Sequence, residues 1–189
     1  SIYDFTQQYS DDPKEIAFEM PCVFKFDWGG EGETVFLINT RQDLRTVLQK
    51  AADFERSGQK GFLLQEYVPT EGRTLRVAVI GRTLISYWRI QENADAFLSG
   101  VSRGARIDPA LEPERQDAAK GFVKNLCKKT GINLAGFDVI FAPVTDYIKP
   151  MMLEINYFFG RRGLGGSDAF YEILKREIHN WLGQLDLGK

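Results

Sequence analysis

The chain reads as an α+β protein whose strands are joined as hairpins and meanders. Three features of the sequence carry that reading. The strand-like runs TLRVAVI and TLISYWRI flank Gly81-Arg82, a two-residue Gly-X connection of the type II′ hairpin kind. PCVFKF and VFLIN are separated only by the Gly-rich stretch DWGGEGET. Segments with helical spacing do not alternate one for one with strands, as a doubly wound sheet requires.

The elements follow in order. After a polar, helix-prone start come the strand PCVFKF, the Gly-rich turn and the returning strand VFLIN. RQDLRTVLQKAADFERSG spaces Leu44, Val47, Leu48, Ala51 and Phe54 as an amphipathic helix, which Gly58 ends. FLLQEYV is a third strand. This β-β-α-β unit, residues 1–68, is expected to form a small subdomain, with residues 69–189 as the second. Beyond the hairpin, residues 94–111 read as a loop. EPERQDAAKGFVKNLCKKTG is a helix with Ala118, Phe122, Val123, Leu126 and Cys127 on one face. Strands around LAGFDVIFAP and YIKPMMLEIN follow. A Gly- and Arg-rich loop then leads into the helix SDAFYEILKREIHNWL, for which Ser167 is the expected N-cap.

Composition removes several classes of function. With 189 residues, 43% of them hydrophobic, the chain can bury a core in one domain or two small ones. A net charge of −2 without a basic tail points away from nucleic acid and anionic membrane. No apolar run approaches the roughly 20 residues that span a bilayer. Cys22 and Cys127 sit in apolar settings, as reduced packing residues of a cytoplasmic protein do. The lone His179, beside Trp181 in the last helix, reads as structural. Ser/His or Cys/His catalysis and zinc binding therefore lack their side chains.

What chemistry remains lies in carboxylates, arginines and one lysine. In PMMLEINYFFG, Glu154 and Asn156 share a strand face, while Leu153 and Ile155 are expected to face the core. An adjacent strand would bring Asp138 alongside. Two carboxylates and an amide oxygen suit Mg²⁺, although solvated edge residues would look the same in isolation. If Gly81 and Arg82 form the turn, Ile80 pairs with Thr83, Arg76 with Tyr87, and Thr74 with Arg89. Arg76 and Arg89 then become diagonal neighbours on one face. Leu75, Val77, Val79, Leu84, Trp88 and Ile90 make the opposite, core-facing side. Two converging guanidinium groups repel unless an anion or a carboxylate sits between them; separate surface ion pairs are the alternative. Lys25 alternates with Phe24 and Phe26, so it lies opposite the core side of its strand. Gly29, Gly30 and Gly32 follow it and allow backbone amides to approach phosphate oxygens, although a plain hairpin loop would read similarly. Arg161 and Arg162 could bind an anion or simply be solvated.

Taken together, the strand Lys25, the Gly29–Gly32 turn, QEYV, LRV-x-VIG-x-x-L-x-x-x-x-R, GFD and LEIN resemble the ATP-grasp superfamily over residues 20–160. The likeness is to its carboxylate–amine ligase branch, with glutathione synthetase and the ribosomal-protein glutamate ligases. It implies two α+β subdomains clasping ATP between antiparallel sheets, with a further N-terminal domain not visible in this sequence. By that likeness Lys25 and the Gly-rich turn contact the phosphates, and the segment Gln65, Glu66, Tyr67 and Val68 holds adenine. Arg89, with Arg76 beside it, is the catalytic cation at the γ-phosphate. Asp138, Glu154 and Asn156 hold Mg²⁺, with Mn²⁺ as the alternative ion. The implied reaction joins a small-molecule or peptide carboxylate to an amine through an acyl phosphate. A small-molecule kinase and a non-catalytic ATP-binding regulatory module are the alternatives, and an oligomer is compatible with any of them. The chain departs from the family pattern at Thr74, where an acid usually holds the ribose and Glu71 could substitute. It departs again at Leu98 and Gly100 in AFLSGVSRGA, where Arg103 and Gly104 remain, and after Asn156, where Pro is missing.

Overall fold

The computed structural model describes residues 19–28, 34–92, 97, 104–141 and 149–185. The chain divides into two compact units, Ser1–Val68 and Pro69–Lys189.

In the first unit, β1 (Cys22–Phe26) is the middle strand of a three-stranded antiparallel sheet. It lies between β2 (Val35–Ile38) and β3 (Phe62–Glu66). Helix α1 (Arg41–Arg56) starts at a capping box. Thr40 Oγ1 accepts from the Asp43 amide at 3.1 Å, and the Asp43 carboxylate accepts from the Thr40 amide at 2.9 Å. Leu44, Val47 and Ala51 from one helical stripe close onto Cys22, Phe24, Phe26 and Ile38, with Phe36, Phe54 and Phe62 around them. Alternation along β1 thus commits Phe24 and Phe26 to this core and leaves Lys25, half-buried, on the opposite side.

The second unit is built on a five-stranded antiparallel sheet in the order β6-β5-β4-β7-β8. Its strands are β4 (Arg73–Ile80), β5 (Thr83–Ile90), β6 (Arg106–Asp108), β7 (Leu134–Phe141) and β8 (Pro150–Asn156). Helix α2 (Pro113–Thr130) precedes β7, and α3 (Ser167–Gln184) ends the described chain. The β4–β5 register is the expected one: Ile80 with Thr83, Arg76 with Tyr87, Thr74 with Arg89. The turn works because Gly81 takes φ +59° while Arg82 stays at negative φ, as a type II′ turn requires. Leu75, Val77, Val79 and Trp88 pack with Ala119 and Val123 of α2 and with Phe137 and Val139 of β7. Leu84 and Ile90 border this core.

Four details depart from the sequence reading. Residues 106–108, expected as loop, form the short edge strand β6 by pairing with Trp88–Ile90. A three-residue strand carries too little alternation to be seen in sequence. Along α2 the central buried alanine is Ala119, flanked by Gln116 and Val123, rather than Ala118. In β8 a register shift pairs Asp138 with Glu154 but Val139 with Met152. Met152 and Ile155 therefore join the core, and Leu153 is the extra residue of the bulge. Finally, α3 begins at Ser167 with Gly166 as its N-cap. No helix among the described residues is long and apolar enough to cross a membrane.

The second face of β4 is also covered. Ala78 and Ile80 pack with Tyr87 and with Leu164 and Phe170 from the α3 side, so every residue of β4 from Thr74 to Ile80 is buried. A central strand enclosed on both faces leaves any charged residue on it dependent on partners within the protein.

Candidate active site

Arg76 is such a residue. It sits on β4 between Tyr87 of β5 and Asp138 of β7, with its side chain 7% exposed. Its Nε donates to Asp138 Oδ1 at 2.6 Å and its Nη2 to Oδ2 at 3.1 Å, a bidentate fork on a carboxylate that is 6% exposed. Arg89 approaches the same carboxylate from β5, with Nη2 2.8 Å from Oδ1. Asn156 Nδ2 donates to Oδ2 at 3.2 Å from β8. Asp138 is the carboxylate that lets the two arginines converge. Oδ2 accepts two hydrogen bonds, and Oδ1 accepts one from Arg76 and holds Arg89 as an ion pair. The three ionic groups sum to one excess positive charge.

The neighbours make room for this cluster. Gly136 lies opposite Asn156, and a Cβ there would stand 2.5 Å from Arg76 Nη1 and 3.0 Å from Phe159 Cβ. Any larger residue would displace the guanidinium. Thr74, opposite Arg89, is 5% exposed, and its Oγ1 accepts from Arg89 Nε at 3.1 Å and Nη2 at 2.8 Å. Tyr87, 3% exposed, lies beside the arginines; burial raises its phenol above the usual range, against the pull of Arg76 and Arg89.

Glu154 is exposed and pairs in register with Asp138, next to Asn156, so the sheet brings the three expected oxygen-bearing residues to one edge. Their donor set is that of a hard divalent cation, and the Asn156 amide nitrogen turned toward Asp138 leaves its oxygen free to face elsewhere. Ligation through Asp138 would replace one of the hydrogen bonds it now accepts. Directly after Asn156, Tyr157 and Phe158 are exposed, Phe158 almost completely.

The other expected residues fall elsewhere. Lys25 is on β1 of the first unit, paired with Val35 and Leu63. Gln65 and Glu66 end β3, and Tyr67 and Val68 follow it. Gly29, Gly30 and Gly32, like Leu98, Gly100 and Arg103, lie outside the described residues. Glu71, at φ +53°, pairs with Arg73 rather than with the Arg76 cluster. Arg161 packs its guanidinium over Phe170 and Tyr171 and donates to the Tyr171 hydroxyl at 3.1 Å, anchoring the loop to α3. His179, expected to be structural, is exposed and bonds the Lys175 carbonyl oxygen. Nothing in the sequence marks Thr74 as a partner of Arg89 or Gly136 as space for Arg76, although the cross-strand register that joins Thr74 to Arg89 is legible there.

Solved structures show this fold to be that of ATP-grasp proteins. The domain matches a RimK domain ATP-grasp protein from Sphaerobacter thermophilus with a TM-score of 0.52, at 14% identity over 92% of this chain and 54% of that one. It matches D-alanine-D-alanine ligase from Helicobacter pylori with a TM-score of 0.60, at 16% identity over 87% of this chain and 50% of that one. Residues 3–167 fit the model of the RimK-like ATP-grasp domain, and the chain belongs to that family. In sequence it is 30% identical over 153 residues to a probable alpha-L-glutamate ligase of Pectobacterium carotovorum, covering 79% of this chain and 46% of the relative. The chain thus spans about half the length of the relatives it matches.

Proposed function

We propose that this chain is the ATP-binding domain of an ADP-forming, Mg²⁺-dependent carboxylate–amine ligase. The observation that carries the reading is the buried Arg76–Asp138–Arg89 cluster, with Asn156 on it and Glu154 beside it at the sheet edge. A buried net positive charge next to the exposed Glu154 carboxylate and the half-buried Asn156 amide suits the terminal phosphates of a nucleotide and their accompanying cation.

In this reading Arg89 offsets charge on the terminal phosphate, and Arg76 holds Asp138 and supports Arg89. Lys25 and the glycines at 29, 30 and 32 contact the phosphates. The main chain from Gln65 to Val68 holds adenine, with Glu71 near the ribose. Asp138, Glu154 and Asn156 would hold Mg²⁺, or Mn²⁺ in its place. When bound, the cation supplies neutralisation of phosphate charge. An oxygen of the substrate carboxylate bonds to the terminal phosphorus as the bond to the ADP oxygen breaks, giving an acyl phosphate. The amine then bonds to the acyl carbon, phosphate departs, and the amine's surplus proton passes to water. Such a reaction depends on positioning and charge neutralisation, so a site without histidine is coherent. The acceptor is a small-molecule or peptide carboxylate. The glutamate ligase among the relatives makes an amino acid the first amine to try.

Hydroxylamine tests the reading, because it intercepts an acyl phosphate as a hydroxamate. The protein carrying this chain should release ADP only with a carboxylate present and should accumulate hydroxamate in proportion. ADP release without hydroxamate would favour a kinase. Binding of ATP without ADP release under any acceptor would favour the regulatory module.

A further inference from the structure

Arg89 is held from two sides, and the two holds are unequal. Asp138 Oδ1 lies 2.8 Å from Nη2 as an ion pair, while Thr74 Oγ1 accepts hydrogen bonds from both Nη2 and Nε. Among the described residues these contacts occupy Nε and Nη2, so Nη1 is the nitrogen the guanidinium can turn to an incoming anion. Arg76 already covers the carboxylate with a bidentate fork, so Asp138 by itself would leave Arg89 a single contact about which to swing. The hydroxyl directly across the strand pair supplies the second anchor and fixes the plane of the fork. A neutral acceptor does so without adding negative charge to the cluster.

We propose that Thr74 is a positioning residue that makes the site discriminate ATP from ADP by aiming Arg89 Nη1 at the terminal phosphate. The inference rests on the nucleotide-binding reading above and adds to it a residue that touches neither nucleotide nor metal. Its action reaches the γ-phosphate through Arg89.

The test is calorimetric titration of the protein with ATP·Mg and with ADP·Mg, in wild type and in Thr74→Val, which keeps the β-branch and removes the hydroxyl. Thr74→Val should weaken ATP by about tenfold, the scale of hydrogen bonds to a charged group, and change ADP by less than about twofold. Thr74→Ser, which keeps the hydroxyl, should restore the wild-type preference. In an Arg89→Ala background, Thr74→Val should cause no further loss of ATP affinity. If Thr74→Val does not fold, Thr74→Ala is read by the same ratio. An unchanged ATP-to-ADP ratio in the folded variant overturns the proposal, as do equal losses for both nucleotides and a failure of Thr74→Ser to rescue. A wild-type protein that binds neither nucleotide overturns both this inference and the function it rests on. A wild type that prefers ATP with an indifferent Thr74→Val overturns this inference alone.

Discussion

The two faces of β4 carry two ionic clusters of different charge balance. On one face a single carboxylate, Asp138, holds two arginines in near-complete burial. On the other, Arg73 lies between two carboxylates, 2.9 Å from Glu71 and 2.9 Å from Glu112, and Arg115 stands 3.6 Å from the second of them. Its guanidinium also lies over the Trp88 ring, 5.3 Å from the centroid. The Arg73 side chain is 23% exposed and Glu71 62%, so water can complete what the protein does not. Both glutamates take left-handed backbone, at φ +53° and +47°, where only a minority of non-glycine residues are found. Strand alternation puts Arg73 with Leu75 and Val77 on the α2 side, and Thr74 with Arg76 on the other. Enclosure therefore separates the roles: the exposed cluster ties a turn and the N-cap of α2 to the sheet, whereas the enclosed one concentrates positive charge.

That difference orders the expected effects of substitution. Asp138→Ala leaves two guanidinium groups facing each other without their counter-ion and should cost about 3–5 kcal/mol in denaturant unfolding, the scale of a broken buried pair. Gly136→Ala forces the Arg76 guanidinium and Phe159 apart and should cost about 1–3 kcal/mol, the range for overpacking. Glu177 of α3 accepts from the Arg82 amide at 2.9 Å and from Thr83 Oγ1 at 2.7 Å, and these bonds lower its carboxyl below the usual range. A carboxyl lowered on folding contributes stability above its unfolded value and loses it as pH falls through the folded one. Glu177→Gln should therefore be less stable than wild type at pH 7, with the two converging in acid below the ordinary glutamate range. Convergence toward alkaline pH instead would contradict the assignment. Arg73→Ala should cost less than about 1 kcal/mol, as partly exposed ion pairs do, and a loss equal to that of Asp138→Ala would erase the contrast between the faces.

Much of this is legible in the sequence. The β4–β5 register follows from one Gly-X dipeptide, and with it the diagonal placement of Arg76 and Arg89, because a hairpin turn fixes every pair beyond it. The placement of Asp138 beside Glu154 needed only adjacent strands. What the sequence concealed has specific causes. The bulge that moves Met152 into the core in place of Leu153 arises from a register shift between β7 and β8, which strand alternation cannot anticipate. Thr74 stood out only as a departure from an expected acid, since a hydroxyl has no periodicity that marks it as an anchor. The second cover over β4, Leu164 and Phe170 on Ala78 and Ile80, comes from nearly a hundred residues away in the chain, and the sequence of β4 alone does not show it.

The claim on which the rest depends is that the edge formed by Asp138, Glu154 and Asn156, beside the two arginines, is the metal and phosphate end of a nucleotide site. Glu154 is its cleanest probe, being exposed and outside the buried ion cluster. Thermal unfolding with ATP should be measured in wild type and in Glu154→Gln, with Mg²⁺ and with a chelator, since a ligand that binds only the folded state raises the midpoint. Wild type should gain several degrees that depend on Mg²⁺, and Glu154→Gln should lose that dependence while keeping its ligand-free midpoint. An equal, Mg²⁺-dependent gain in both proteins would contradict the assignment.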